Sequence, residues 1–324
     1  MHPSSSNRRP LNEMIPNNIW LHILPSLDRA QLGLNLALIS GRFDALVDSH
    51  FDQLGPIRFD RISICRPSRG REPQIEIKAK FFEVPTHSLR NNIRFERLNI
   101  WYIDQTVIAF LRNNQHTWGD NIKLTFDILL REQRKDEAKQ IWNVFVQQIW
   151  PLFATNIRQL NLCNINHLNT LRRRISPTIL TDLPNISTIN SMHTWPDPIG
   201  DDAKGSKAEK ALAKWLHKAR TDGQANEMIC QFTGPTRFTK WLNKYKEAFA
   251  SASTPANYKI IILLGPNAKP NEPFEFELVN ERTHENLTLQ RIASTKALMR
   301  RCPIGEAAVH TTEESEMCHL CFKV

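Results

Sequence analysis

Between Asp28 and Ser40 leucine stands at every second position, at Leu32, Leu34, Leu36 and Leu38. Strict alternation marks a strand with one buried face, but the residues around it argue for a helix. Asp28 followed three positions later by Gln31 has capping-box spacing, Leu, Ala and Gln are good helix formers, and Ile39 is the only β-branched residue before Ser40. At roughly 100° per residue, a helix here puts Leu32 and Leu36 on one side and Leu34 and Leu38 nearly opposite. Two apolar sides need two covers: one side can pack on the chain's own helices, and the other needs a larger domain or a second protein. The flanks share the helical period. Ile15, Ile19 and Ile23 recur every four residues, Leu24 and Leu27 extend the apolar surface, and Leu32, Leu36, Ile39, Phe43 and Leu46 follow helical steps. Pro16, Pro25 and Gly41 divide the stretch, so residues 11–53 read as a module of short helices.

Beyond residue 53 strands alternate with helices. Phe95, Leu98, Ile100 and Ile103 are spaced three, two and three apart, and Ile157, Leu160, Leu162 and Ile165 repeat that spacing, as in the strand segment of leucine-rich repeats. Further strands are expected at Ile122 to Phe126, Ile186 to Ile189, Met228 to Phe232 and Tyr258 to Leu264. Helices are expected over "DEAKQIWNVFVQQIWPLF", "KAEKALAKWLHKA" and "TRFTKWLNKYKEAF". Phe274, Phe276 and Leu278, then Leu287 and Leu289 across a turn-rich middle, give a hairpin signal. The expected fold is α/β: the helical module at 11–53, then at 54–304 an irregular, leucine-rich-repeat-like α/β solenoid ending in a β-hairpin. An ordinary α/β or α+β domain gives a similar pattern. Residues 1–10 read as a disordered tail and 305–324 as a divergent one.

The 324 residues with 41% apolar content suffice for a large core. No stretch approaches the ~20 apolar residues of a membrane span, the start lacks a signal-peptide core, and six cysteines are too sparse for a disulfide scaffold. The expectation is a soluble, intracellular protein, cytoplasmic or nuclear, with no membrane partner. The net charge of +9 comes from scattered Lys and Arg matched by 33 acidic residues, and the longest basic cluster is Arg172 to Arg174. Nucleic acid is therefore not the expected partner.

The ordered set Ile15-Pro16, Ile19, Ile23-Leu24, Leu27-Asp28-Arg29, Leu32 and Ile39-Ser40-Gly41-Arg42-Phe43 resembles an F-box, the helical module that attaches substrate receptors to cullin-RING ubiquitin ligases. Such modules show apolar faces both to themselves and to a small adaptor protein. "FEFELVNERTHENLTLQRI" followed by "LMRRCPIG", with "RISPTIL" and "ALAKWLH", is similar to the large expanded families of nematode F-box proteins in plant-parasitic species. The resemblance implies a substrate-recognition subunit of an SCF-type ligase, with the adaptor and through it a cullin as partners, an unknown target protein, no cofactor and no enzymatic activity. It implies adaptor-binding residues Ile15, Pro16, Ile19, Trp20, Ile23, Leu24, Leu32, Leu34, Leu36 and Leu38. Asn17, Ala30 and Gly41 depart from the family's acidic, acidic and basic residues but spare most apolar anchors. They support a second reading, a non-ligase interaction scaffold with a degenerate F-box.

Cys302, His310, Cys318 and Cys321 include one C-x-x-C spacing, but the second half of a zinc site has no such pair, and no metal is expected. No G-x-S-x-G, Walker, G-x-G-x-x-G or H-E-x-x-H motif is present. Cys65, Cys163 and Cys230 read as small core residues, and Trp101, Trp142, Trp150, Trp215 and Trp241 as core aromatics, with Trp20 at an interface rim. Ser176 before Pro177 reads as a helix cap.

Overall fold

The computed structural model describes residues 15–54, 57–66, 72–127, 135–192, 194–232, 235–265 and 275–305. The chain is mixed α/β and divides into two compact units, residues 1–98 with 102–119, and residues 99–101 with 120–324.

The first unit begins with α1 (Asn17–Ile23), a 3-10 turn at Leu24–Ser26, α2 (Arg29–Leu34), a second 3-10 turn at Leu36–Leu38, and α3 (Gly41–Leu54). The leucine run is thus not one helix. It breaks at Asn35 (φ −121°, ψ −60°), just after the weak helix former Gly33. The break turns Ala37 inward and Leu38 outward. Ser40 starts α3, its carbonyl accepting from Asp44 N at 3.0 Å and its Oγ from Phe43 N at 3.4 Å. Phe43, Leu46, Val47, His50 and Phe51, at helical spacing, form its buried face.

The helices do not stand apart as an 11–53 domain. They share the unit with β1 (Ile57–Cys65), β2 (Gln74–Ile77), β3 (Lys80–Glu83) and β4 (Ile93–Ile100), in the order β4-β1-β2-β3, and with α4 (Gln105–Asn113). The boundary expected at 53/54 therefore falls inside a compact unit. Electrostatics accounts for part of this: Arg90, from the loop before β4, pairs with Asp44 and Asp48 of α3 and lies 5.5 Å over the Phe51 ring, and Lys80 of β3 lies 3.8 Å from Asp28. A Cβ on Gly33 would touch Phe51 and Ile93 at 3.8 Å, which places α2 directly against β4.

In the second unit β5 (Trp118–Phe126), β6 (Ile157–Leu162), β7 (Thr188–Ser191), β8 (Asn226–Phe232) and β9 (Tyr258–Leu264) run parallel and pair in chain order. The crossovers carry α5 (Lys135–Val144), α6 (Trp150–Phe153), α7 (Ile165–Arg174), α8 (Ile179–Asp182), α9 (Ala208–Leu216) and α10 (Pro235–Ser251). One π-turn, Phe145–Ile149, separates α5 from α6 and ends just ahead of Pro151, whose ring and missing N–H disfavour a regular helical turn there. The expected terminal hairpin is a three-stranded meander: β10 (Phe276–Asn280) pairs with β11 (Glu285–Ala293) as Leu278 opposite Leu287, and β12 (Lys296–Pro303) joins β11 to β9, antiparallel to both. Leu124, Leu160, Ile189, Met228, Ile260, Met299 and Leu289 line up in register across seven strands, all fully buried. A register shift between Ile122 and Lys123 where β6 pairs with β5 lets Ile157 and Leu160 both face inward despite their spacing of three.

Ser176 does not cap a helix starting at Pro177. Its Oγ accepts from Thr178 N at 3.2 Å, and the short α8 follows with Thr178 at its N-cap. Arg172, the first residue of the longest basic cluster, is buried: it donates to the carbonyls of Pro177, Ala203 and Ser206 and holds the loop before α9. Trp142, Trp150, Trp215, Trp241 and Cys230 are core residues, whereas Trp101, Cys65 and Cys163 are half-buried. His310, Cys318 and Cys321 of the weighed zinc set, and the tails at 1–10 and 306–324, lie outside the described residues. No helix among the described residues is long and apolar enough to cross a membrane.

Candidate protein-docking surface

α1 reads "NNIWLHI": four of its seven residues are large and apolar, yet none is buried. Ile19, Leu21, Ile23, Leu27, Leu38 and Ile39 are six of the eleven large apolar side chains found exposed among the described residues, and the other five are scattered from Phe81 to Ile304. Leu38 and Ile39 are 50% and 62% exposed. Single exposed apolar residues are ordinary, but such a concentration in one short segment makes it the candidate docking surface.

Interior contacts hold this segment in place. Leu24 and Leu32 are fully buried, so of the ten residues expected to meet an adaptor these two fix the module from within and offer no surface. Trp20 is half-buried, its ring edge-on to Phe43 at 4.8 Å, and its Nε1, buried, has no hydrogen-bond partner among the described residues. Arg42 of α3 donates through Nε to Asn17 Oδ1 at 2.8 Å and through its terminal guanidinium to the Ile15 carbonyl, tying α1 to α3. An amide at position 17 thus accepts the bond a carboxylate would accept, without the charge. Burial lowers the pKa of Arg90, while Asp44 beside it acts in the opposite direction.

The other expected residues fall as follows. Ile19, Ile23 and Leu38 are exposed, Pro16 is exposed, and Ile15 and Leu36 are half-buried. Leu34 ends α2, and its side chain lies outside the described residues. Leu36 and Leu38 belong to the 3-10 turn and not to the helix of Leu32. Leu21, Leu27 and Ile39 join the exposed set without having been among the ten. Ile39 was legible as the apolar residue after the leucine run, whereas Leu21 falls off the four-residue step of Ile19 and Ile23. At Gly41 a Cβ would meet nothing within 4 Å, so the position has room for the side chain the F-box pattern carries there.

No protein-family model, no curated protein and no solved structure matches the chain.

Proposed function

We propose that the chain is a non-enzymatic substrate receptor of an SCF-type cullin-RING ubiquitin ligase, docking the ligase adaptor through α1, Leu27 and the 36–39 turn and holding a target protein on the rest of the molecule. The observation that carries this reading is α1, an apolar helix with no buried residue. Full burial of a Leu-sized side chain contributes roughly 1.5–3 kcal/mol. The six side chains are already partly covered, so docking gains only about half of that from each. On this reading both α1 and the 36–39 turn contribute to docking, and losing either weakens the complex.

The parallel, chain-ordered strands β5 to β9 support the solenoid reading. On the face opposite the buried register row stand Gln159, Asn161, Thr188, Asn190, Glu227 and Lys259, all half-buried. Gln159 Nε2 donates to Asn161 Oδ1 and Asn161 Nδ2 to Thr125 Oγ1, each at 2.8 Å. This face, polar across β5 to β7 and apolar at Ile229 and Ile261 of β8 and β9, is where we place the target. The receptor works by proximity: a target and a ubiquitin-loaded enzyme held on one assembly meet at raised effective concentration, with no chemistry by this chain. The reading carries no cofactor and places the protein in the cytoplasm or nucleus.

A degenerate F-box serving only as a cap is the second reading, favoured by the buried face of α3. It leaves α1 uncovered. Co-expression of the full chain with the ligase adaptor, followed by sizing chromatography, separates the two: a one-to-one complex supports the receptor, and a folded chain eluting alone supports the scaffold.

A further inference from the structure

A cavity of about 670 Å³ opens in the second unit between the C-terminal ends of α9 and α10, the segment before β9 and the loop carrying Pro198 and Ile199. Small-molecule sites typically occupy roughly 300–1,000 Å³. Folding leaves one feature of its wall unexplained. His217, directly after α9, is fixed by stacking on Tyr258 (5.2 Å, 26°), yet its Nε2 is buried with no hydrogen-bond partner among the described residues. Ile199, 65% exposed, supplies apolar surface to the same wall. A Cβ on Gly200 would stand 2.6 Å from Lys214 Cα, so only glycine lets the loop lie there.

The charges around the cavity are unevenly committed. Arg301 is held by Glu285 (Nη2 to Oε2, 2.7 Å) and by the Thr254 carbonyl, and Lys218 Nζ donates to the Thr181 carbonyl at 2.6 Å. Asp202 Oδ2 accepts from Thr181 Oγ1 at 3.0 Å. Lys214 lines the cavity with no ion-pair partner among the described residues. Burial and then the Arg301 guanidinium push the His217 imidazole down to about 4, so it is neutral near pH 7 and has one ring N–H to donate.

We infer that this cavity binds a small amphiphilic acid, its anionic head meeting Lys214 and His217 Nε2 and its apolar body lying along Pro198, Ile199 and Ala248. An anion there satisfies the orphaned nitrogen and the uncommitted ammonium together, and an apolar body covers Ile199. The inference does not depend on the docking proposal, since every residue in it belongs to the second unit.

The test is calorimetric titration of the full chain with octanoate, with octanol as its uncharged match. Octanoate should saturate one site at least about tenfold more tightly than octanol, and Lys214→Gln and His217→Phe should each weaken it about tenfold or more. Lys214 is exposed, so its variant keeps the test open even where His217→Phe unfolds. Failure of octanoate to saturate, equal binding of octanol, or wild-type affinity in folded Lys214→Gln would overturn the assignment.

Discussion

α1 and α9 are both short apolar helices with opposite fates. α9, "AEKALAKWL", buries Ala208, Ala211, Leu212, Ala213, Trp215 and Leu216, whereas α1, "NNIWLHI", buries nothing. Apolar content alone therefore does not say where a helix goes. α9 is covered by its own unit, where Asn226 Nδ2 also takes up the carbonyls of Trp215 and Lys218 at its C-terminal end. α1 is held at its start by Arg42 and on one side by Phe43, and Ile19, Leu21 and Ile23 stay exposed. On the account proposed here their cover is the ligase adaptor.

The contrast is sharpest under truncation. Trp215→Ala should lower the urea-derived unfolding free energy by about 3–5 kcal/mol, whereas Ile19→Ala should change it by less than about 0.5 kcal/mol. Comparable losses at both sites would mean that α1 is also core.

A pH titration follows in size. His217 has a folded-state pKa of about 4 against an ordinary 6.5, lowered first by burial, so the unfolded chain binds more protons between those values. Its contribution is fully present above pH 6.5 and is lost as pH falls toward 4, at up to about 1.4 kcal/mol per pH unit. His167, also pushed to about 4 by burial, acts in the same direction, while its neighbour Asp127, 3.5 Å away and raised to about 6 by burial, acts in the opposite one, so that pair largely offsets. Urea unfolding at pH 4.5, 5.5 and 6.5, values chosen within about that window, should show the decline in the wild type and a flatter profile in His217→Phe. Equal slopes would remove His217 from the account.

Gly200→Ala should cost about 1–3 kcal/mol, because the added methyl meets the backbone of α9 and not a flexible side chain. Thermal unfolding reads this directly. The smallest effect belongs to the first unit: Lys78 and Ala79 link β2 to β3 with φ of 49° and 60°, the left-handed pair of a tight hairpin turn. Ala79→Gly should raise stability by about 1 kcal/mol, since glycine adopts that conformation without a steric penalty. No gain would mean that entropy lost by the new glycine cancels the relief.

The parallel strands were legible because their buried faces are almost wholly aliphatic and bounded by turn residues, as in Tyr258 to Leu264. β12 was not. Its inward row runs Ala297, Met299, Arg301, and an arginine at a core position breaks the pattern a reader looks for. Only the fold supplies the reason, the pairing of Arg301 with buried Glu285 of β11. β1 hides the same way, since Ser63 is fully buried within its alternation. In the candidate surface, spacing singled out the apolar positions but not which way they face. Leu24, Leu32, Leu36 and Leu38 look alike in sequence, and the break at Asn35 decides that Leu32 goes in and Leu38 out.

On our proposal the exposed apolar side chains of α1 and the 36–39 turn are covered by the ligase adaptor. The most direct test titrates purified adaptor into the wild-type chain and into a Leu38→Glu, Ile39→Glu double variant, both confirmed folded by circular dichroism. The account predicts one-to-one binding by the wild type and a loss of affinity of at least about a hundredfold in the variant. Equal affinity in both, or no binding by the folded wild type, would contradict it.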